Sequence, residues 1–449
     1  VTTIASPKLF GTDGVRGVAG RAPLDPATLV RLGAAIVNAH PLGRPARLVV
    51  GRDTRESGSW IERELARGAA SQGAAVTSVG VLPTPGVAYL AGALDFDLGV
   101  VISASHNSFE DNGIKVFSGR GEKFGEGEER AVEALMAEPG TPAVAHGVPS
   151  LDPAPIADAY LAHVARMLPA PGPLRGARLA VDMANGATTT TAARVLAGLG
   201  FDVVPIGDMP DGRNINLACG STHPARLIQT VVTRQCRLGV AFDGDGDRAI
   251  FADHRGRVID GDAVLLLLAI ARQRRGELPG QSVVATVMSN LGLEIALAER
   301  GIRLIRTPVG DKYVMEEMLR HGYTLGGEQS GHVILAEHLF TGDGLATALA
   351  VLRVMAETGA DLADLASDLV TFPQTLVNVR VRDRRPISSV PEVAAAMARV
   401  EAAQAGRGRL LVRYSGTEPL LRVMVEGEDQ ATVQAWAEEV AQAVRDVLG

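Results

Sequence analysis

Three aspartates set one residue apart, Asp243, Asp245 and Asp247, sit in the stretch LGVAFDGDGDRAIF at residues 238–251, directly after a short apolar run. At i, i+2 and i+4 their side chains share one side if the backbone there is extended. Converging carboxylates repel one another unless a hard, oxygen-preferring ion neutralises them, and one Mg²⁺ per chain meets that need. A calcium loop of the EF-hand type does not fit, because its sixth and twelfth positions require Gly and Glu, where this chain has Arg248 and His254. A solvated turn remains an alternative. So does an aspartyl-phosphate hydrolase, in which Asp243 would be the nucleophile.

A second candidate centre is VVISASHNSFEDNGIKVF, residues 100–117. A buried strand VVIS leads into Ser105, His106 and Asn107, and a turn is expected at Asn112–Gly113 before Lys115 and another strand. Ser105 is the candidate nucleophile, although a serine so placed is often only a turn or a helix cap. Phosphoryl chemistry on a serine hydroxyl requires a base and strong positive charge nearby, which Lys115 and a metal would supply. Lysine is itself informative in this chain. Of 44 basic residues only Lys8, Lys115, Lys123 and Lys312 are lysines, and a compact ammonium does different chemistry from a planar guanidinium.

Two more loops could bind a phosphosugar. GGEQSGH, residues 326–332, presents Glu328 and Ser330 to vicinal sugar hydroxyls. RYSGTEP, residues 413–419, offers Arg413, Ser415 and Thr417 with backbone N–H groups around Gly416, a combination that seats a phosphate. Arg422, on the strand that follows, adds a second guanidinium. Each loop taken alone also reads as a surface turn.

The elements that must carry these loops are α/β in character. A chain of 449 residues with 46% hydrophobic and 21% charged residues and 51 glycines is globular and too long for one core. ARLVVGRDTRES from Ala46, ARLAVDMANG from Ala177 and QSVVATVMSN from Gln281 each open with a short buried-strand run, followed by small polar residues and a helix-compatible stretch. The Pro- and Gly-rich stretch 137–155 suggests one boundary, and another falls near 257. The segments expected are therefore 1–155, 156–257, 258–368 and a smaller α+β domain at 369–449, where RLLVRYSG and LLRVMVEG read as strands before an amphipathic helix.

Composition also excludes partners. The formal net charge of -7 argues against a broad basic face for nucleic acid. The longest apolar run, Ala263–Ala271, is too short for a membrane span, so a cytoplasmic protein is expected. Cys219 and Cys236 form no disulfide framework and have no metal-ligand spacing. There is no Walker loop, GxGxxG or HExxH. Oligomeric state is not legible, and a homodimer stays open.

Taken in order, ASHN, DGDGDR, GEQSGH and RYSGTEP resemble the α-D-phosphohexomutase family, from LFGTDGVRG at residues 9–17 to the C-terminal loop. The forms FGTDGVRG, NIN with GSTH (214–223), TVMSNLGLE (286–294) and GEQSGH are most similar to the branch acting on glucosamine phosphate. The resemblance implies four domains around a central cleft, three of mixed α/β type and one smaller α+β domain. It implies a phosphorylated Ser105, and Mg²⁺ held by Asp243, Asp245, Asp247 and an oxygen of that phosphate. Arg16, Lys115 and His332 match acid and base positions, with His106 and Arg248 beside them, while Glu328 and Ser330 match the sugar-binding pair. The implied reaction interconverts glucosamine 6-phosphate and glucosamine 1-phosphate through a sugar bisphosphate, which also serves as activator. Mannose or glucose phosphate remains an alternative substrate, as does a sugar phosphatase or a binding protein without turnover. Gln329 either reads the amine at C2 or turns away from it. Ser108, where the family usually has proline, and Tyr414, at an often basic position, depart from the pattern.

Overall fold

The computed structural model describes residues 9–11, 13–138, 151–415 and 419–449. Gly416 and Thr417 of the expected phosphate seat lie outside the described residues. Among the described residues seventeen strands form four sheets. The first holds β1 (Val15–Val18), β2 (Arg47–Arg52), β3 (Ala75–Val81), β4 (Leu98–Ile102) and β5 (Asp111–Ser118), in the order β1-β5-β4-β2-β3. The second holds β6 (Arg178–Asp182), β7 (Asp202–Ile206), β8 (Leu238–Phe242), β9 (Ala249–Asp253) and β10 (Val258–Ile259), in the order β10-β9-β8-β6-β7. The third holds β11 (Ser282–Thr286), β12 (Arg303–Thr307), β13 (Leu325–Gly327) and β14 (Val333–Leu335), in the order β12-β11-β13-β14.

These three sheets repeat one plan. Setting aside the edge strands β1 and β10, the first strand of each core (β2, β6 and β11) pairs in parallel with the second and third, and a fourth returns antiparallel to the third. The similar openings read from the sequence are the first strands, β2, β6 and β11, of three equivalent cores. The three loops rich in reactive side chains then occupy one equivalent position: 103–110 joins β4 to β5, 243–248 joins β8 to β9, and 328–332 joins β13 to β14. They lie at the carboxyl ends of parallel strands, where open α/β sheets place their sites.

Burial explains the third strands. LGVVI of β4 and LGVAF of β8 are buried at every position, as expected of strands covered on both faces. Leu48, Val50, Leu98 and Val100 pack against Leu29, Leu32, Ile61 and Leu65 of the helices Pro26–Asn38 and Gly58–Ser71. Each such side chain contributes about 1.5–3 kcal/mol by leaving water.

Two local expectations are corrected. Asn112–Gly113 makes no turn but lies inside β5, paired with β1 on one side and β4 on the other. A Cβ at Gly113 would come within 2.6 Å of the Ser103 carbonyl oxygen and 2.9 Å of that of Val15, so glycine here permits close backbone approach. The aspartates converge in a tight turn after β8 instead of along an extended strand.

The described residues form two compact units, one running to Met288 and resuming at Ile302–Ser367, the other Ser289–Gly301 with Asp368–Gly449. The second unit contains β15 (Gln374–Arg380), β16 (Arg409–Tyr414) and β17 (Leu420–Glu426), an antiparallel sheet ordered β15-β17-β16. The helices Pro391–Gln404 and Gln430–Leu448 cover it through Val393, Val400, Val433 and Val440. Residues Ser289–Gly301, which the sequence reading put in the third segment, group with this sheet, anchored by Asn290 to the backbone of Phe372. Among the described residues no helix is long and apolar enough to cross a membrane. Cys219 and Cys236 are buried free thiols, and burial followed by the charge of Asp182 pushes Cys219 up to about 11.

Candidate active site

Ser105 is fully buried and adopts a left-handed backbone, φ 52°. A serine held in that region costs about 1–3 kcal/mol and persists only where its surroundings over-determine it. Here they do. The guanidinium of Arg55, itself buried, donates to the carbonyls of Ser105 (3.0 Å), Asn107 (2.9 Å) and Ser108, while its Nε donates to Asp53 (2.8 Å). Asn216 adds donations to the Ser105 and Asn107 carbonyls, both 2.9 Å. Asn216 ends the NIN segment singled out in the sequence, and its amide supports the serine loop.

The hydroxyl that results is aimed at the aspartates. Ser105 Oγ donates to Asp243 Oδ2, and the Nδ1 of His106 lies 3.4 Å away. Asp243, Asp245 and Asp247 are buried, and each offers a carboxylate oxygen within 4.8 Å of the others. Burial, then repulsion from Asp247 and Asp245, pushes the Asp243 carboxyl well above the usual range. Oδ1 of Asp245 and Oδ1 of Asp247 are buried without a hydrogen-bond donor. Orphaned, convergent carboxylate oxygens suit a hard divalent cation. The triad therefore fits Mg²⁺.

Cations ring these carboxylates. Lys115 Nζ, on β5, reaches Asp245 at 2.8 Å and Asp247 at 2.9 Å. Burial opposes its charge, but Asp13, Asp245 and Asp247 outweigh it and hold the ammonium well above the ordinary lysine value. Arg16 donates to the Ala104 carbonyl at 2.7 Å and pairs with Asp13. Arg248 donates through its backbone N–H to Asp243 (3.1 Å) and lies 3.2 Å from His106 Nδ1. Burial, then Arg248 and Arg16, lower His106 to about 4.

The third sheet contributes His332 and Glu328. His332 bridges to Arg248 through the backbone, and its Nδ1 lies 3.6 Å from Asp247. Its Nε2 accepts the Gly342 N–H at 3.0 Å and lies 3.4 Å from Asp311. A neutral ring thus accepts from Gly342 at Nε2 and carries its proton on Nδ1, and a charged ring has a carboxylate facing each nitrogen. Burial disfavours the imidazolium, yet Asp247 and Asp311 outweigh it and raise the histidine. Glu328 is half-buried and accepts from the Gly310 N–H at 3.2 Å; Ser330 is exposed. Gln329 turns away, donating to Asp260, the cap of the helix Gly261–Arg275, at 3.2 Å.

Ser105, His106, Lys115, Arg16, Arg248, His332 and the three aspartates are thus brought together in one unit with Glu328 nearby. Arg413, Ser415 and Arg422 belong to the other unit. There Arg413 and Arg422 are directly opposed on β16 and β17, with Ser415 3.5 Å from Arg422. Burial and the charge of Arg422 lower Arg413, and like charges so opposed favour an anion between them.

Models of the phosphoglucomutase/phosphomannomutase domains match along the chain: alpha/beta/alpha domain I at residues 7–142, II at 158–256, III at 260–372, and the C-terminal domain at 376–443. A phosphoglucosamine mutase of Solibacter usitatus is 48% identical over 443 residues, covering 98% of this chain and 99% of that one. One from Desulforudis audaxviator is 49% identical over 447 residues, covering 98% of each. The chain belongs to the phosphoglucomutase/phosphomannomutase family. A solved family member from Burkholderia thailandensis aligns with TM-score 0.80 at 25% identity, covering 98% of each chain.

This family member also uses residues that the sequence reading passed over. Arg55 and Asp53 fix the serine loop, Thr84 donates to Asp245 at 2.5 Å, and Asp13, Lys123 and Asp311 surround Lys115 and His332. For the lysine a signal existed. Three of the chain's four lysines form ion pairs at the site, Lys115 and Lys312 buried and Lys123 half-buried.

Proposed function

We propose that the chain interconverts glucosamine 6-phosphate and glucosamine 1-phosphate by way of a phosphorylated Ser105 and a bisphosphorylated sugar. The observation that carries this reading is the Ser105 hydroxyl on Asp243, at the edge of a buried carboxylate triad bridged by Lys115. The relatives named phosphoglucosamine mutase, 48% and 49% identical across nearly the whole chain, support the amino sugar as substrate.

In the first half-reaction the O1 hydroxyl of glucosamine 6-phosphate attacks the phosphorus on Ser105. The P–Oγ bond breaks as the P–O1 bond forms, and the O1 proton passes, with a neutral His332 as base, to the Ser105 oxygen that leaves, while Lys115 and Arg16, held cationic by neighbouring carboxylates, balance the charge on the phosphoryl group. In the second half-reaction Ser105 Oγ attacks the phosphorus at O6 of the reoriented bisphosphate; the P–O6 bond breaks, the serine proton passes to O6, and the phosphoserine is regenerated with release of glucosamine 1-phosphate. Asp243, Asp245 and Asp247, with a phosphoryl oxygen on Ser105, would hold Mg²⁺, which when bound supplies positive charge to the transferring group. Glu328 and Ser330 take the sugar hydroxyls. Arg413, Ser415, Gly416, Thr417 and Arg422 take the phosphate that is not reacting.

A phosphatase needs no second phosphate seat, and the opposed guanidiniums of Arg413 and Arg422 favour the mutase over it. A cytoplasmic location fits the phosphosugar substrate. The test measures kcat/KM for glucosamine 6-phosphate, mannose 6-phosphate and glucose 6-phosphate with a sugar bisphosphate as activator, together with intact mass after labelling. The amino sugar should give the highest value and the label should sit on Ser105. A higher value for mannose or glucose phosphate overturns the substrate assignment, and label on Asp243 overturns the nucleophile.

A further inference from the structure

Six buried or half-buried side chains close a ring of alternating charge around the catalytic groups. Lys115 Nζ lies 2.9 Å from Asp247 and 3.3 Å from Asp13; Asp13 lies 2.6 Å from Lys123 Nζ; Lys123 pairs with Asp311; Asp311 lies 3.4 Å from His332 Nε2; and His332 Nδ1 lies 3.6 Å from Asp247. The ring spans all three repeated sheets. Asp13, Lys115 and Lys123 come from the first, Asp247 from the second, and Asp311 and His332 from the third.

A cavity of about 10 Å³ beside it is lined by Lys115, Lys123, Lys312 and Glu129 among Phe10 and Phe124. That space is too small for a sugar and leaves no room for guanidinium forks, which accounts for lysine in a chain that otherwise relies on arginine. Stability alone does not explain the arrangement, since buried ion pairs often add nothing over well-packed apolar residues. What it does achieve is geometric. Asp13 is shared between two lysines, and Asp247 and Asp311 each face one lysine and one ring nitrogen of His332, so Lys115 and His332 are each held from two directions.

We propose that Lys123 and Asp311 are positioning residues for phosphoryl transfer: paired with each other, they hold Lys115 through Asp13 and His332 directly. This rests on the mutase reading above. It assigns no contact with substrate to either residue. Lys123 and Asp311 act only by setting where the two inner groups stand.

The experiment compares Asp311→Asn, Lys123→Met and the double variant, reading Tm, kcat and KM for glucosamine 6-phosphate. Each single variant leaves a buried charge with only one ring partner and should lower Tm; the double variant removes both charges and should regain it. Positioning predicts that kcat of the double variant stays about 10²-fold or more below wild type, with KM within about threefold, because acid–base and electrostatic placement act on the transition state. A double variant with kcat within about threefold of wild type, or a loss confined to KM, overturns the proposal. If the double variant does not fold, Asp311→Asn, which keeps the shape of the side chain, decides by the same split. If wild type labels Ser105 yet does not turn over glucosamine 6-phosphate, the substrate assignment fails alone, and the split measured with mannose 6-phosphate decides on the pair.

Discussion

Replacing Arg55 by methionine tests what makes the serine loop reactive. The guanidinium and the Asp53 carboxylate with which it pairs are both fully buried, and the same group grips three loop carbonyls. Losing one partner of a buried ion pair costs about 3–5 kcal/mol. The left-handed Ser105, worth about 1–3 kcal/mol of strain, then keeps only Asn216 as a restraint on its carbonyl. Because the chain has several cores, local opening is the proper measure. Protection of the 103–111 amides against hydrogen exchange should fall by about two to three and a half powers of ten, the equivalent of about 3–5 kcal/mol at about 1.4 kcal/mol per factor of ten.

The defect should also depend on pH, with a fixed sign. Burial raises the Asp53 carboxyl, and the Arg55 charge lowers it; without Arg55 it rises further. A folded-state pKa above the unfolded value of about 3.9 means the native state holds the extra proton, so stability is lost as pH rises through that window. The variant should therefore be worse at pH 7 than at pH 5. Arg55→Lys keeps a charge opposite Asp53 but cannot span the three carbonyls, so it should be milder in exchange and still slow in Ser105 labelling. A protection loss below about tenfold, a defect that grows on acidification, or unchanged labelling by Arg55→Met would refute the clamp.

Three further outcomes are expected. Chelation should abolish turnover and Mg²⁺ should restore it, with Mn²⁺ partly effective because it accepts similar oxygen coordination; full activity after exhaustive chelation would count against the triad. Gly342→Ala places a Cβ 2.6 Å from the Asp247 carbonyl oxygen and 2.6 Å from His332 Nε2, so it should cost about 1–3 kcal/mol and lower kcat, whereas wild-type kcat would free His332 of that contact. Arg422→Ala should raise KM for the phosphosugar while leaving chelator sensitivity intact, and an unchanged KM would remove Arg422 from the phosphate seat.

The loops were legible because each concentrates reactive residues within a few positions, directly after an apolar run. Asp243, Asp245 and Asp247 announce themselves by spacing, and Ser105 by its place after a buried strand. Their supports were not legible. Arg55 is one arginine among many and reaches Ser105 across 50 residues; Asp311 meets Lys123 across 188. Only the fold supplies those pairings. Lysine scarcity pointed at Lys115, and the same count applied to Lys123 and Lys312. Asn112–Gly113 misled for a physical reason: the dipeptide that makes a hairpin turn also suits a strand whose neighbours on both sides approach closely.

The repeated cores explain why the chemistry is divided as it is. Each sheet delivers its loop from the same corner, yet the three loops carry different side chains: Ser105 and His106 on one, the three aspartates on the next, Glu328 and His332 on the third. Such loops must interlock, since each alone is incomplete. Besides the side-chain contacts at the site, main-chain bonds tie these regions together: the Thr84 N–H donates to the Asp245 carbonyl at 2.8 Å, the Ala249 N–H to the Gly331 carbonyl at 3.0 Å, and the Gly344 N–H to the Gly246 carbonyl at 3.0 Å. Main-chain bonds of this kind tolerate side-chain change at the surface but not displacement of a sheet. Exposed loop positions such as Ser330 can therefore change while Ser105, the triad and the charge ring stay in register, because the three cores hold one another there.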